Sequence, residues 1–262
     1  MDFTLNVSGM DISYMDSAPD GGDRKPVLLL LHGWGADNRA FIPVIDALSG
    51  QYRLIAPDLP GFGKTGEPDK PWSLTDYVDW LQAFADGLGL AEFTFTACGH
   101  SHGGRTLIKW AARSPAGLGR LILIDSAGLK PKRGLAWYTK VYAYKAGKKL
   151  LQSPGIGKML APFAAGKLAN AGSADYRQAS PLMRRTMVLL LEEDLGHCLS
   201  QIRVPTLIFW GEQDQDTPLS MGKRMEQDIP DAGLVVLSPA GHYSYLDQLP
   251  VFLSALRYFL DH

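Results

Sequence analysis

The chain has 262 residues, 46% of them hydrophobic and 20% charged, with a formal net charge of −1, a balance that suits a soluble globule with a large core and gives no reason to expect a nucleic-acid partner. No apolar run approaches the ~20 residues of a membrane span, and Met1-Asp2-Phe3-Thr4-Leu5-Asn6 offers neither a basic n-region nor an apolar h-region, so a cytoplasmic protein without stable membrane insertion is expected. The two cysteines, Cys98 and Cys198, argue against a disulfide scaffold and fit a reducing compartment.

In chain order, strand-like runs at about 3–7 and 11–15 flank Ser8-Gly9-Met10 and predict an antiparallel hairpin at a sheet edge. The continuous apolar run 27–31 leads into His32-Gly33-Trp34-Gly35, and a further strand is expected at 52–57. Leu74, Tyr77, Val78, Leu81, Phe84, Ala85 and Leu88 then recur at helical spacing behind Ser73, a side chain suited to capping the first turn. The alternating run 93–98 opens onto Gly99-His100-Ser101-His102-Gly103-Gly104, followed by helical residues 105–112. Strands are expected again at 120–125, 205–210 and 233–238, and Pro250 opens a last amphipathic helix carrying Val251, Leu253, Ala255, Leu256 and Phe259. Buried strands alternating with helices predict a doubly wound, mostly parallel eight-stranded α/β sheet.

Residues 126–200 break that rhythm, with helical patterns at 135–151, 156–168 and 182–195 and no clear strand. They read as a helical cap inserted after the sixth strand, leaving 1–125 and 201–262 as one core domain. A cap inserted there is expected to overhang Ser101 and shape the substrate pocket. The insertion holds twelve lysines and arginines against four acids, a net +8, so the remainder carries −9. Attraction between the two parts and solvated helix faces explain that split, and steering of anionic substrates or membrane surfaces is the alternative.

A strand that feeds a helix through G-x-S-x-G is a nucleophile elbow, whose turn presents the serine and whose glycines avoid the neighbouring strand and helix. A serine hydroxyl needs a base, a group that orients the base, and donors for an oxyanion. His242, in Pro239-Ala240-Gly241-His242, and Asp214, in Gly211-Glu212-Gln213-Asp214, each follow a strand at its carboxyl end, where chemistry sits in an open parallel sheet. The backbone N–H groups of Trp34 and His102 are the expected oxyanion donors.

With Ser101 in the elbow, Asp214 and His242 in that order, and His32-Gly33-Trp34 in the oxyanion loop, the chain resembles the α/β-hydrolase superfamily. Ala56-Pro57-Asp58-Leu59-Pro60-Gly61-Phe62-Gly63 and Gly211-Glu212-x-Asp214-x-x-Thr217-Pro218 add to the likeness, and Thr65 stands where many relatives carry serine. The resemblance covers roughly 1–125 and 200–262. It implies a serine hydrolase of carboxylesterase type, acting on a small acyl substrate through an acyl-enzyme, with no metal or organic cofactor. An elbow aspartate would point to haloalkane dehalogenases or epoxide hydrolases, and Ser101 argues against both. C–C bond hydrolases and cofactor-free perhydrolases share the triad and stay open, as does a non-catalytic small-molecule receptor of the same fold. Some relatives take the acid from the end of the sixth strand, where this chain has Asp125, while spacing to Pro218 favours Asp214.

The remaining histidines have quieter expectations. His100 packs and hydrogen-bonds behind the elbow, His102 borders the pocket, His32 braces the oxyanion loop, and His197 belongs to the cap without chemistry. Trp137, Tyr138 and Tyr142, with Tyr144, form an aromatic group at the start of the cap, and Met183 and Met187 stand one helical turn apart. Helix packing explains all of them, and lining of an acyl or aromatic substrate pocket is the functional alternative.

Overall fold

The computed structural model describes residues 2–19, 25–130 and 174–262. Eight strands form one sheet: β1 (Asp2–Val7), β2 (Met10–Asp16), β3 (Val27–Leu31), β4 (Arg53–Pro57), β5 (Phe95–His100), β6 (Leu118–Ile124), β7 (Thr206–Gly211) and β8 (Ala232–Leu237). Their spatial order is β1-β2-β4-β3-β5-β6-β7-β8. The hairpin β1–β2 turns at Ser8 and Gly9, both at positive φ, and pairs antiparallel to β4, while all pairings from β4 to β8 are parallel.

The described helices are α1 (Ile42–Leu48), α2 (Leu74–Gly87), α3 (His102–Ala111), α4 (Ala174–Gln178), α5 (Pro181–Glu192), α6 (Gly196–Leu199), α7 (Leu219–Asp228), α8 (Ser244–Asp247) and α9 (Leu249–Asp261). Ser73 caps α2 as expected, in a full capping box: its Oγ accepts the Asp76 N–H, and the Asp76 carboxylate accepts the Ser73 N–H.

Strand β3 shows why five consecutive apolar residues are needed. Successive side chains point to opposite faces, so Val27, Leu29 and Leu31 join one buried cluster and Leu28 and Leu30 another. The first cluster lies under α2 and α3 and includes Tyr77, Leu81, Phe84, Leu107 and Trp110; the second includes Val44 and Leu48 of α1 and Phe252 and Leu256 of α9. Both faces are thus covered by helices, the doubly wound arrangement read from the sequence.

The chain divides into two compact units, 1–129 with 180–262, and 130–179. The sequence placed the insertion at 126–200. The segments 126–129 and 180–200 instead belong with the sheet, because Leu129, Leu190, Leu195, Cys198 and Leu199 are buried in the first apolar cluster. The cap helices expected at 135–151 and 156–168 lie outside the described residues. Among the described residues no helix is long and apolar enough to cross a membrane.

Candidate active site

The elbow follows from backbone packing at the β5–α3 junction. A Cβ on Gly99 would stand 2.6 Å from Gly103 C and Gly104 N, and one on Gly103 would stand 2.1 Å from Leu31 O. No side chain fits at either position without moving main chain, so β5, β3 and α3 approach closely enough to pinch Ser101 between them. Ser101 takes φ 50° and ψ −108°, a strained conformation for a residue with a Cβ. Its surroundings hold it there: the Ser101 N–H donates to Ile124 O at 3.0 Å, and its carbonyl accepts the N–H groups of Arg105 at 2.9 Å and Ala127 at 3.1 Å. Every backbone polar group of the strained residue is therefore engaged, two of the three bonds reaching the end of β6 and the loop after it.

The half-exposed Ser101 hydroxyl lies 3.0 Å from His242 Nε2. On the other side of the ring, His242 Nδ1 lies 2.8 Å from Asp214 Oδ2. The Asp214 carboxylate is itself fixed, Oδ1 by the N–H groups of Asp216 at 2.8 Å and Thr217 at 3.0 Å, and Oδ2 by the Thr217 hydroxyl at 2.7 Å. Burial pushes the Asp214 pKa up, but the bonds from His242 and Thr217 outweigh it and leave the group below its ordinary value. Burial also pulls His242 down, while the bond to Asp214 and the charges of Asp214, Asp125 and Asp216 leave it net raised. The arrangement suits a base that is neutral when it accepts a proton and well supported once charged.

Asp125 sits elsewhere. Its fully buried carboxylate accepts from Gly211 N–H at 2.7 Å and from the Ser244 N–H and hydroxyl at 3.0 and 2.5 Å. The imidazole is thus hydrogen-bonded by Asp214.

The oxyanion loop is tied down by His32. Its Nε2 accepts the Leu59 N–H at 2.9 Å, which puts the proton on Nδ1, where it donates to Gly33 O at 2.8 Å. The Trp34 ring packs edge-on against Phe62 at 4.8 Å and against the His102 ring at 5.6 Å. His102 is the first residue of α3, so its N–H has no intrahelical acceptor and points out of the helix start. The His102 ring is buried among Trp34, Phe62 and Tyr77, and burial, with the charge of Arg105 nearby, pulls its pKa down to about 3. It is therefore a neutral, packed side chain.

His100 is neutral as well, pulled down to about 3 by burial and by His242, and its Nε2–H donates to the His242 carbonyl at 2.7 Å. It packs behind the elbow as the sequence suggests. His197 is exposed, with Nδ1 3.1 Å from Asp194 O.

Met183 is buried with its Cε against Gly61, where a Cβ would approach to 2.4 Å, and Met187 is half-buried one turn further along α5. Trp137, Tyr138 and Tyr142 lie outside the described residues. Asp214, Asp216 and His242 form a group of ligand-type atoms within 4.8 Å of one another. A cation there would have to displace the Asp214–His242 bond.

Two contributors were not singled out from the sequence. Thr217, present in the Gly211-to-Pro218 motif, supplies two of the four donors on Asp214, the others being the Asp216 N–H and His242. Arg105 is buried on α3 and donates to Leu190 O and, at 3.1 Å, to Glu193 O, closing the carboxyl end of α5. Nothing local in the sequence marks that pairing, since the partners are main-chain carbonyls more than eighty residues away.

Known proteins carry the same scaffold. An esterase from Exiguobacterium antarcticum superposes with a TM-score of 0.75 at 24% identity, each chain covered completely. A pimeloyl-[acyl-carrier protein] methyl ester esterase of Legionella pneumophila is 29% identical over 89% of this chain and 94% of its own. A 2-hydroxy-6-oxononadienedioate/2-hydroxy-6-oxononatrienedioate hydrolase of Paraburkholderia phymatum is 29% identical over 92% of this chain and 89% of its own. A sequence profile for the alpha/beta hydrolase fold matches residues 26–249, from the strand before the oxyanion loop to the helix after His242. By sequence and architecture together, this chain belongs to the α/β-hydrolase-fold family of enzymes.

Proposed function

We propose that this protein hydrolyses a carboxylic ester or related acyl compound through an acyl-enzyme intermediate on Ser101. The observation that carries the proposal is the continuous array from Ser101 Oγ to His242 at 3.0 Å and from His242 to Asp214 at 2.8 Å, with the serine held in its strained turn. His242 accepts the Ser101 proton as Oγ attacks the substrate carbonyl carbon, and returns it to the departing alkoxide. A water molecule, deprotonated by the same imidazole, then attacks the acyl-serine and releases the acid. Asp214 fixes the imidazole tautomer and stabilises the imidazolium. The N–H groups of Trp34 and His102 receive the negative oxygen, and loss of one such donor costs about 2.7–4 kcal/mol of transition-state stabilisation. Two unpaired thiols, Cys98 and Cys198, support a cytoplasmic location.

The likeness to the Legionella esterase supports the ester reading. The equal identity to the Paraburkholderia hydrolase supports a second one, cleavage of a C–C bond beside a ketone by the same three residues. Labelling with a fluorophosphonate probe tests the nucleophile. Turnover of p-nitrophenyl esters of graded chain length, set against a 2-hydroxy-6-oxo-dienoate, separates the two substrates. Labelling with ester turnover supports the proposal; preferred turnover of the dienoate would replace it with the second reading.

The pH dependence follows from the raised His242. Only the neutral imidazole accepts a proton, so kcat/KM is expected to fall as the pH drops, with a midpoint above the ordinary histidine value of about 6.5. A stopped-flow profile of the acylation step that stays flat from pH 5 to 8 would count against His242 as the base.

A further inference from the structure

We infer that Asp125 is a positioning residue for the hydrolysis proposed above, its carboxylate clamping the loop that carries Asp214 to the loop that carries His242. Gly211, whose N–H is bound by Oδ1, ends β7 three residues before Asp214. Ser244, whose N–H and hydroxyl are bound by Oδ2, lies two residues after His242. One carboxylate therefore spans both catalytic loops from a third, the turn after β6. The rest of Asp125 joins the same assembly: its N–H donates to Phe209 O at 3.0 Å, and its carbonyl lies 3.0 Å from the Thr217 hydroxyl, the group that also binds Asp214. Its φ of 43° is a left-handed conformation that aspartate tolerates better than most side chains, and it is what turns the carboxylate back between the two loops.

The three donors converge from two sides, so an acceptor-only group is required. An asparagine there has one oxygen, and whichever way its amide sits, the NH₂ group faces either the Gly211 N–H or the Ser244 N–H. With the NH₂ toward Gly211 the β7 loop loses its bond; with the NH₂ toward Ser244 the hydroxyl can turn to accept but the Ser244 N–H is left without its acceptor. The clamp is weakened in either orientation, although the side chain is almost unchanged in size. The ionised form also acts through space. Its charge is among the influences that raise His242, and the titratable groups around it are Asp214, His242 and Tyr245. Burial, opposed by the bonds from Ser244 and Gly211 and assisted by the charge of Asp214, raises Asp125 to about 7. A protonated carboxyl is a poorer acceptor for these donors, so the clamp loosens as the pH falls through that value.

The test uses the intact protein with Asp125→Asn and Ser244→Ala. Without substrate, the Cε1–H resonance of His242 is followed by NMR from pH 4 to 9. The wild type is expected to show two inflections. Asp125→Asn is expected to show one, with the midpoint lowered by about half a pH unit or more because a neighbouring negative charge is gone. In ester turnover, Asp125→Asn is expected to lower kcat roughly tenfold with KM held within about twofold, the split expected for lost positioning rather than lost binding. Ser244→Ala, which removes one of the three donors and leaves the charge, serves if the first variant does not fold; it is expected to lower kcat in the same direction while the two inflections remain. A folded Asp125→Asn protein whose His242 titration overlays the wild type and whose kcat is unchanged overturns the inference. Failure of the wild type to react with fluorophosphonate or esters would sink the hydrolase reading and leave the titration to decide the clamp.

Discussion

Ser101→Ala is expected to abolish both fluorophosphonate labelling and ester turnover, with kcat falling on the order of 10⁶, the loss seen when the serine of a serine protease is removed. The hydroxyl is the atom that would form the acyl bond, and no neighbouring group can substitute. His100 and His102 flank the serine, yet His100 is occupied by the His242 carbonyl and His102 is walled in by Trp34, Phe62 and Tyr77. The fold should survive, because the main-chain bonds of residue 101 to Ile124, Arg105 and Ala127 do not involve the side chain, and alanine meets the same strained φ. Circular dichroism and a thermal melt establish the fold. Labelling of the folded alanine variant at the wild-type rate would remove Ser101 from the mechanism.

Asp214→Asn is expected to cost about 10⁴ in kcat, by the tautomer argument established for serine proteases. In this site the geometry says which way the amide sits. The N–H groups of Asp216 and Thr217 both point at Oδ1, so the amide oxygen takes that position and the NH₂ group faces His242 Nδ1. The ring then accepts at Nδ1 and carries its proton on Nε2, where it faces the Ser101 hydroxyl as a donor and no longer as a base. Single-turnover acylation of the folded variant measures this directly. A loss within tenfold would return the orienting role to another carboxylate.

Much of this site was legible because its signals are local. Gly99, Ser101 and Gly103 lie within five residues, the oxyanion loop follows one apolar strand, and Asp214 and His242 each sit just past a strand end. The hairpin, the eight strands and the capped α2 could be read for the same reason, since the period of the apolar residues is a short-range property. The boundaries drifted where glycine was taken as punctuation. Strand β5 runs on through Gly99 to His100 and α3 starts at His102, because these glycines allow backbones to touch and do not interrupt them. What the sequence concealed depends on contacts between distant segments. Asp125 could be read from the sequence only as an alternative triad acid, because Gly211 and Ser244 meet at its carboxylate in three dimensions and not along the chain. Residues 180–200 looked like part of an insertion because they are helical; their apolar residues are nonetheless spent on the main core.

The contrast among glycines has a practical side. Exchanging glycine for alanine commonly stabilises a protein by narrowing the unfolded ensemble, provided the native backbone admits a side chain. At Gly99 and Gly103 main-chain atoms occupy the space, and at Gly211 the Gly241 carbonyl oxygen would lie 2.0 Å from the new carbon. Gly50, after α1, and Gly233, in β8, have open space where a Cβ would stand, and both are exposed. Alanine at these two positions is expected to add about 0.4–1 kcal/mol each, read as a shift in the urea midpoint at constant slope, with esterase kinetics untouched. Tolerance to thermostabilising mutation is thus distributed unevenly along this chain: it is available at its periphery and closed wherever strands and helix meet behind the serine.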